Sequence, residues 1–379
     1  MKINNSFVLS AVLSVFFSVP CAEAGPVLAT VNLKSSTTGG NWSDTNLWSV
    51  AREPRTGDRL SILPTGPIDI TLDKDVAVDF NRIDFRPAAA GASLHLLGDG
   101  HTLLLPSSPT GAYDDSSEPF HFRGQNSSHH IFSLESYSMS ASTRTNAPVI
   151  RMTNPQFLLS VDANNKTTLT FEKGTYNTYD PEGTNIVGRS FIIGSDSTAP
   201  AEIAFLEGTS LKADNVDCKM NYDGDRLSFL GGTHQLFGML KFCDSGRRYG
   251  RSIYLDVAGG ANLAVKSFDF GTVNAVSNQW NIDDGKAMNL YLRVSDGGTL
   301  RTTGGDMSFT QGFLFLNMTN GTLRSSANVN FASALLTTQK VVAVNSVIDI
   351  PNGSGVFSYA APTNSVSLDF EATNTTFLF

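Results

Sequence analysis

One phrase recurs along the second half of the chain: alternating apolar residues, then a glycine turn, usually followed by threonine. It appears as Leu169-Thr170-Phe171 before Gly174-Thr175, as Ile203-Ala204-Phe205 before Gly208-Thr209, and as Leu227-Ser228-Phe229 before Gly232-Thr233. It returns as Ile253 to Val257 before Gly259-Gly260, Leu290 to Val294 before Gly298-Thr299, and Leu314 to Met318 before Gly321-Thr322. Period-two alternation gives a strand with one inward and one outward face. A strand-and-turn unit returning every 23 to 38 residues or so cannot bury its face alone and must stack on its neighbours. The expected fold class is therefore all-β, a β-solenoid.

Composition agrees with this reading. Gly, Ser, Thr, Asn, Val, Leu and Phe dominate, a mix that favours strands and turns over helices. The formal net charge of −8 argues against nucleic acid as a partner. Residues 1–24 read as a signal peptide: Lys2 supplies the positive start, Phe7 to Val19 the apolar run, and Ala22-Glu23-Ala24 a small-x-small cleavage site. A lipid-modified Cys21 is the alternative, although Ser18-Val19-Pro20 fits a lipobox poorly. No later apolar run is long enough for a transmembrane helix. The expected location is secreted, extracellular or periplasmic, with the cell surface as a further destination. Cys218 and Cys243 then stand as an even pair in an oxidising compartment. Either they form a disulfide between neighbouring coils, or they are two buried thiols.

Residues 25–60 read as an N-terminal cap and 61–379 as the β-helix, with irregular, long-looped coils over 106–165 and regular repeats over 166–379. An open solenoid end exposes apolar core and unpaired strand edges, so it needs covering. Trp42 and Trp48 in a turn-rich stretch suit that task. The competing reading makes Trp42, Trp48 and Trp280 a sugar-stacking platform.

The Gly40-Asn41-Trp42, Trp48, Pro54 and Gly57-Asp58 sequence, with the turns Asp296-Gly297-Gly298-Thr299-Leu300, Asn320-Gly321-Thr322-Leu323 and Gly259-Gly260-Ala261-Asn262-Leu263, carries a resemblance. The chain resembles bacterial secreted proteins of the autotransporter-associated β-strand-repeat type, within the wider pectin-lyase-like class. That resemblance implies a right-handed parallel β-helix over most of the chain. It departs from the pattern at the C-terminus, where no membrane barrel follows the repeats and Thr373 and Thr375 break an outer-membrane alternation.

Three functions compete. The first is a structural or adhesive surface protein, meeting polysaccharide or another cell-surface protein, with no cofactor and no catalytic residue required. The second is a polysaccharide-active enzyme of lyase type. Charged loops precede successive strands at similar offsets: Asp223 and Asp225, then Arg247 and Arg248, then Asp283, Asp284 and Lys286. Stacked about 4.8 Å apart, they would line one edge, where acids hold Ca²⁺ and a Lys or Arg takes a proton next to a uronate carboxyl. The ordinary reading of the same residues is a row of solvated turns and surface ion pairs. The third function is a non-catalytic carbohydrate-binding protein using the three Trp. Asn221 to Asp225 imitates the start of a Ca²⁺ loop, but Arg226 and Gly232 stand where Gly and Glu are needed. His95, His101, His121, His129 and His130 cluster in sequence without metal-ligand spacing, so no metal site is expected.

Overall fold

The computed structural model describes residues 29–34, 38–55, 58–77, 82–85, 93–99, 101–104, 120–124, 129–138, 157–161, 167–177, 191–193, 201–213, 216–218, 223–242, 252–270, 289–309, 313–332, 339–350, 357–360 and 368–378. Among these residues the chain is all-β, and every strand ladder is parallel.

Among the described residues the strands fall into three ladders, and the chain visits them in turn from coil to coil. The first ladder passes from Thr30–Asn32 through Arg59–Ile62 and Arg82–Phe85 to Met307–Phe309, Val329–Ala332 and Phe357–Ala360. The second passes from Gly39–Asn41 through Pro67–Thr71 to Ser252–Val257, Asn289–Ser295, Phe313–Thr319, Gln339–Val344 and Leu368–Thr373. The third begins at Val76–Ala77 and ends at Val347–Asp349 and Thr376–Leu378. Two long strands, Thr233–Phe242 and Asn262–Phe270, serve the third ladder and then the first, with a register shift between Leu236 and Met239. This arrangement is a parallel β-solenoid.

The recurring phrase occupies the second ladder. Phe171 pairs with Phe205, Phe205 with Phe229, Phe229 with Val257, Val257 with Val294, and Val294 with Met318. Alternation sends these side chains inward, where like stacks on like. The Phe171 and Phe205 rings lie 4.6 Å apart and nearly parallel, and those of Phe205 and Phe229 are 5.3 Å apart. On the first ladder Phe268, Phe309 and Phe331 continue the interior, with successive centroids 5.3 Å apart. Each coil thus buries its apolar row against the coils above and below, as a repeat protein must.

The turn from second to third ladder explains the glycines. Asp296, Asn320, Asn345 and Asn374 occupy it on four successive coils with φ of 53°, 53°, 50° and 49°, a conformation Asn and Asp adopt more readily than other side chains. The amide of Asp296 donates to Thr319, that of Asn320 to Val344 and that of Asn345 to Thr373. Just downstream a Cβ at Gly298 or Gly321 would stand 2.2 Å from the carbonyl oxygen of Val257 or Val294. No side chain fits there without moving the backbone.

The N-terminal stretch already belongs to the ladders, since Thr30–Asn32 and Gly39–Asn41 are the first strands of two of them. On the edge of the first strand away from Arg59–Ile62, the chain folds back. Leu33 bridges Trp48 in antiparallel sense, Lys34 N–H donates to Leu47, and Ser49 N–H donates to Asn32.

Candidate functional site

The outward residues of the second ladder form a row of side chains that crosses the coils. In register come Glu202, Arg226, Tyr254, Tyr291, Phe315, Lys340 and Asp369. Two residues further along each strand lie Ala204, Ser228, Asp256, Arg293, Asn317, Val342 and Glu371. Alternation puts both rows on the solvent side while their neighbours fill the core.

Within this face the groups engage one another. The Arg226 guanidinium lies 4.5 Å from the ring centre of Tyr254. Tyr254 stacks on Tyr291 at 5.1 Å with an 18° interplanar angle. Tyr291 then meets Phe315 at 6.0 Å and Phe313 at 6.3 Å, both tilted. Beside this column Asp256, only 6% exposed, accepts from Arg226 through Oδ2 and pairs with Arg293 Nε at 3.0 Å through Oδ1. Ser228 Oγ donates to the same carboxylate at 3.3 Å. Further along, Lys340 bridges Glu371 at 2.8 Å and Asp369 at 3.3 Å, and the two carboxylates hold its ammonium above the usual lysine range.

Chemically, this is a column closed on itself. One face of Tyr254 is covered by Arg226 and the other by Tyr291, so what meets water is ring edge and phenol. A sugar ring stacks on an open aromatic face, and neither face of Tyr254 is open. Arg293, half exposed, is the cation of this network most available to solvent.

Among the candidates read from the sequence, Asp223 and Asp225 are described. Asp223 is exposed, and its Oδ1 accepts from the Ser252 amide of the next coil at 2.7 Å. Asp225 is fully buried and precedes the solvent-facing Arg226. The two carboxylates therefore do not share a solvent-facing surface. Arg247, Arg248, Asp283, Asp284 and Lys286 lie outside the described residues, as do Trp280 and Cys243. Cys218 is buried.

Trp42 and Trp48 correct the sugar-platform expectation for these two residues. They are 2% and 0% exposed, with centroids 5.3 Å apart in an edge contact, and Trp48 Nε1–H donates to the Trp42 carbonyl at 2.8 Å. No ring face is offered to a ligand. Of the histidines, His95 lies between Asp69 and Glu172, at 3.4 Å and 3.7 Å from different ring nitrogens, and His101 faces Asp75. Among the described residues no group of three His, Cys, Asp or Glu side chains is arranged to hold a metal ion.

The aromatic column was missed by sequence reading, which followed the inward row. Its signal was present in Arg226, Tyr254, Tyr291 and Phe315, each one residue away from an inward apolar position.

Comparison with known proteins returns no match to a family model, to a curated protein or to a solved structure. Among the described residues no helix is long and apolar enough to cross a membrane, which says nothing about strands.

Proposed function

We propose that the protein is a secreted structural or adhesive solenoid of the cell surface, a right-handed parallel β-helix that acts through shape and contact and not through catalysis. The observation that carries this reading is the closure of the outward face on itself. Arg226, Tyr254, Asp256, Tyr291 and Arg293 direct their polar and aromatic groups at neighbouring coils. Lys340 does the same with Asp369 and Glu371. Such pairs stiffen a rod, whereas a catalytic groove needs groups left converging on an empty volume.

In this reading residues 1–24 direct export, and Trp42, Leu47 and Trp48 act as the N-terminal cap over the first coil. The antiparallel return of Leu47 to Ser49 along the edge of the first strand away from Arg59–Ile62 supports that role. Polysaccharide or another surface protein would be met by exposed side chains outside the aromatic column, with no cofactor.

The lyase reading rests on Arg247, Arg248, Asp283, Asp284 and Lys286, which lie outside the described residues. The test is incubation of the intact protein with acidic and neutral polysaccharides, with and without Ca²⁺, following unsaturated uronate and new reducing ends. Retention on polysaccharide or cells without product is the expected result. Product formation abolished by Asp284→Ala or Arg248→Ala would replace the structural reading with the lyase.

A further inference from the structure

His234 has no part in the outward face, and its position is unusual for a titratable group. It stands at an inward site of the third ladder, in register with Leu211 on one side and Leu263 on the other. It is fully buried. Its ring centroid lies 4.8 Å from that of Phe229 and 5.4 Å from that of Phe205. Nε2 is 2.7 Å from the carbonyl oxygen of Gly231, which can only accept, so Nε2 carries the proton of the neutral ring. Nδ1 is buried with no hydrogen-bond partner.

Protonation would place an N–H donor and a positive charge at Nδ1 with nothing to receive either. The charged groups on the strands around it stand at outward or distant positions. They are Glu202 on the strand of Phe205, Lys212 beside Leu211, Arg226 and Asp256 on the second ladder, Lys241 further along its own strand, and Lys266 and Asp269 beyond Leu263. Buried Asp225 precedes the far end of the strand whose last residue is Phe229, and Glu207 is exposed in the preceding turn. Burial holds the imidazole down at about 4 against an ordinary 6.5, with the Gly231 carbonyl pulling weakly the other way.

We propose that His234 makes the coil spanning residues 226–236 an acid-operated joint in the solenoid, closed while the ring is neutral and opened by its protonation. A solenoid permits this because each coil is held only by its two neighbours, so one can loosen while distant coils stay stacked. The sign follows from the group's behaviour in each state. Opening returns the ring to water, where it binds protons more readily than in the core, so acid favours the open form. Closure is fully stabilised above about 6.5 and is lost as the pH falls through about 4. The opening equilibrium rises by up to about tenfold per pH unit inside that window, and by about 300-fold between pH well above 6.5 and pH well below 4.

The test is amide hydrogen exchange of the intact protein at pH 7 and pH 4, corrected for the intrinsic exchange rate. Protection at Leu227 to Leu236 is expected to fall by about 100-fold relative to the coil at Leu314 to Leu323. His234→Leu, which installs the residue found at this register in both neighbouring coils, is expected to abolish the fall. An equal fall in the variant, or a uniform fall along the rod, would overturn the proposal. Imidazole titration of the unaltered protein by NMR decides the matter even where the variant misfolds. A His234 signal titrating near 4 supports the joint, and one titrating near 6.5 with the coil still closed overturns it.

Discussion

The Arg226 guanidinium serves two residues of the next coil at once: it lies 4.5 Å from the Tyr254 ring centre and pairs with the Asp256 carboxylate. Neither contact is local in sequence. Both exist because the ladder sets Arg226 against Tyr254, and alternation then sets Ser228 against Asp256. Cohesion between coils is thus written on the outside of the rod as well as in its core.

Asp256 is the centre of that network, so its removal is expected to cost more than that of either arginine. Asp256→Ala leaves Arg226 and Arg293 facing each other without their shared anion. A loss of about 1–3 kcal/mol is expected, discounted because both arginines reach water. Arg293→Ala, which removes the half-exposed partner, is expected to cost under about 1 kcal/mol. Denaturant unfolding midpoints of the two variants provide the comparison.

Glycine in the turns divides into two kinds. Gly321→Ala drives a Cβ to 2.2 Å from the Val294 carbonyl oxygen, and a loss of about 2 kcal/mol or more is expected because backbone must move. At Gly260 φ is +74° but nothing lies within 4 Å of an added Cβ, so Gly260→Ala meets conformational strain alone, about 1 kcal/mol. Equal losses in thermal unfolding would contradict the close-approach explanation.

Trp48→Ala empties a fully buried site and deletes the Nε1–H bond to Trp42. The expected cost is about 3–5 kcal/mol, felt first as exchange of the Thr30–Asn32 amides. A sugar-binding role would instead reduce polysaccharide retention while leaving stability intact.

Asp58 gives the N-terminal coils an acid response separate from that of His234. Burial alone would raise its carboxyl, but hydrogen bonds from Arg52 and the Arg55 amide, with the nearby guanidinium charges, outweigh burial and hold it below the usual range. A depressed carboxyl contributes stability that is complete above about 3.9 and disappears as the pH falls through its lower folded value. Acid titration of exchange at Arg59 to Ile62 is expected to show loosening only below about pH 4. Asp58→Asn is expected to loosen the same strand already at neutral pH.

Much of the second ladder was legible in the sequence. The Leu169, Ile203 and Leu227 phrases align there because an inward apolar row repeats and the glycine turns mark its end. The other two ladders were less visible. Strands such as Met307–Phe309 and Thr322–Arg324 are too short to show alternation, and Thr233–Phe242 crosses from one ladder to another without a break. Asp225 gave no sign of burial, since its charge sits among the charges of an ordinary loop. The Tyr254–Tyr291 stack depends on cross-coil register that local pattern does not carry.

In the proposed structural role the outward aromatic column holds coils together and does not hold a ligand. Tyr291→Ala tests it most directly when unfolding stability and retention on polysaccharide are measured on the same sample. A stability loss of about 1–3 kcal/mol with retention unchanged is expected. Unchanged stability with retention lost would contradict it and make the column a binding site.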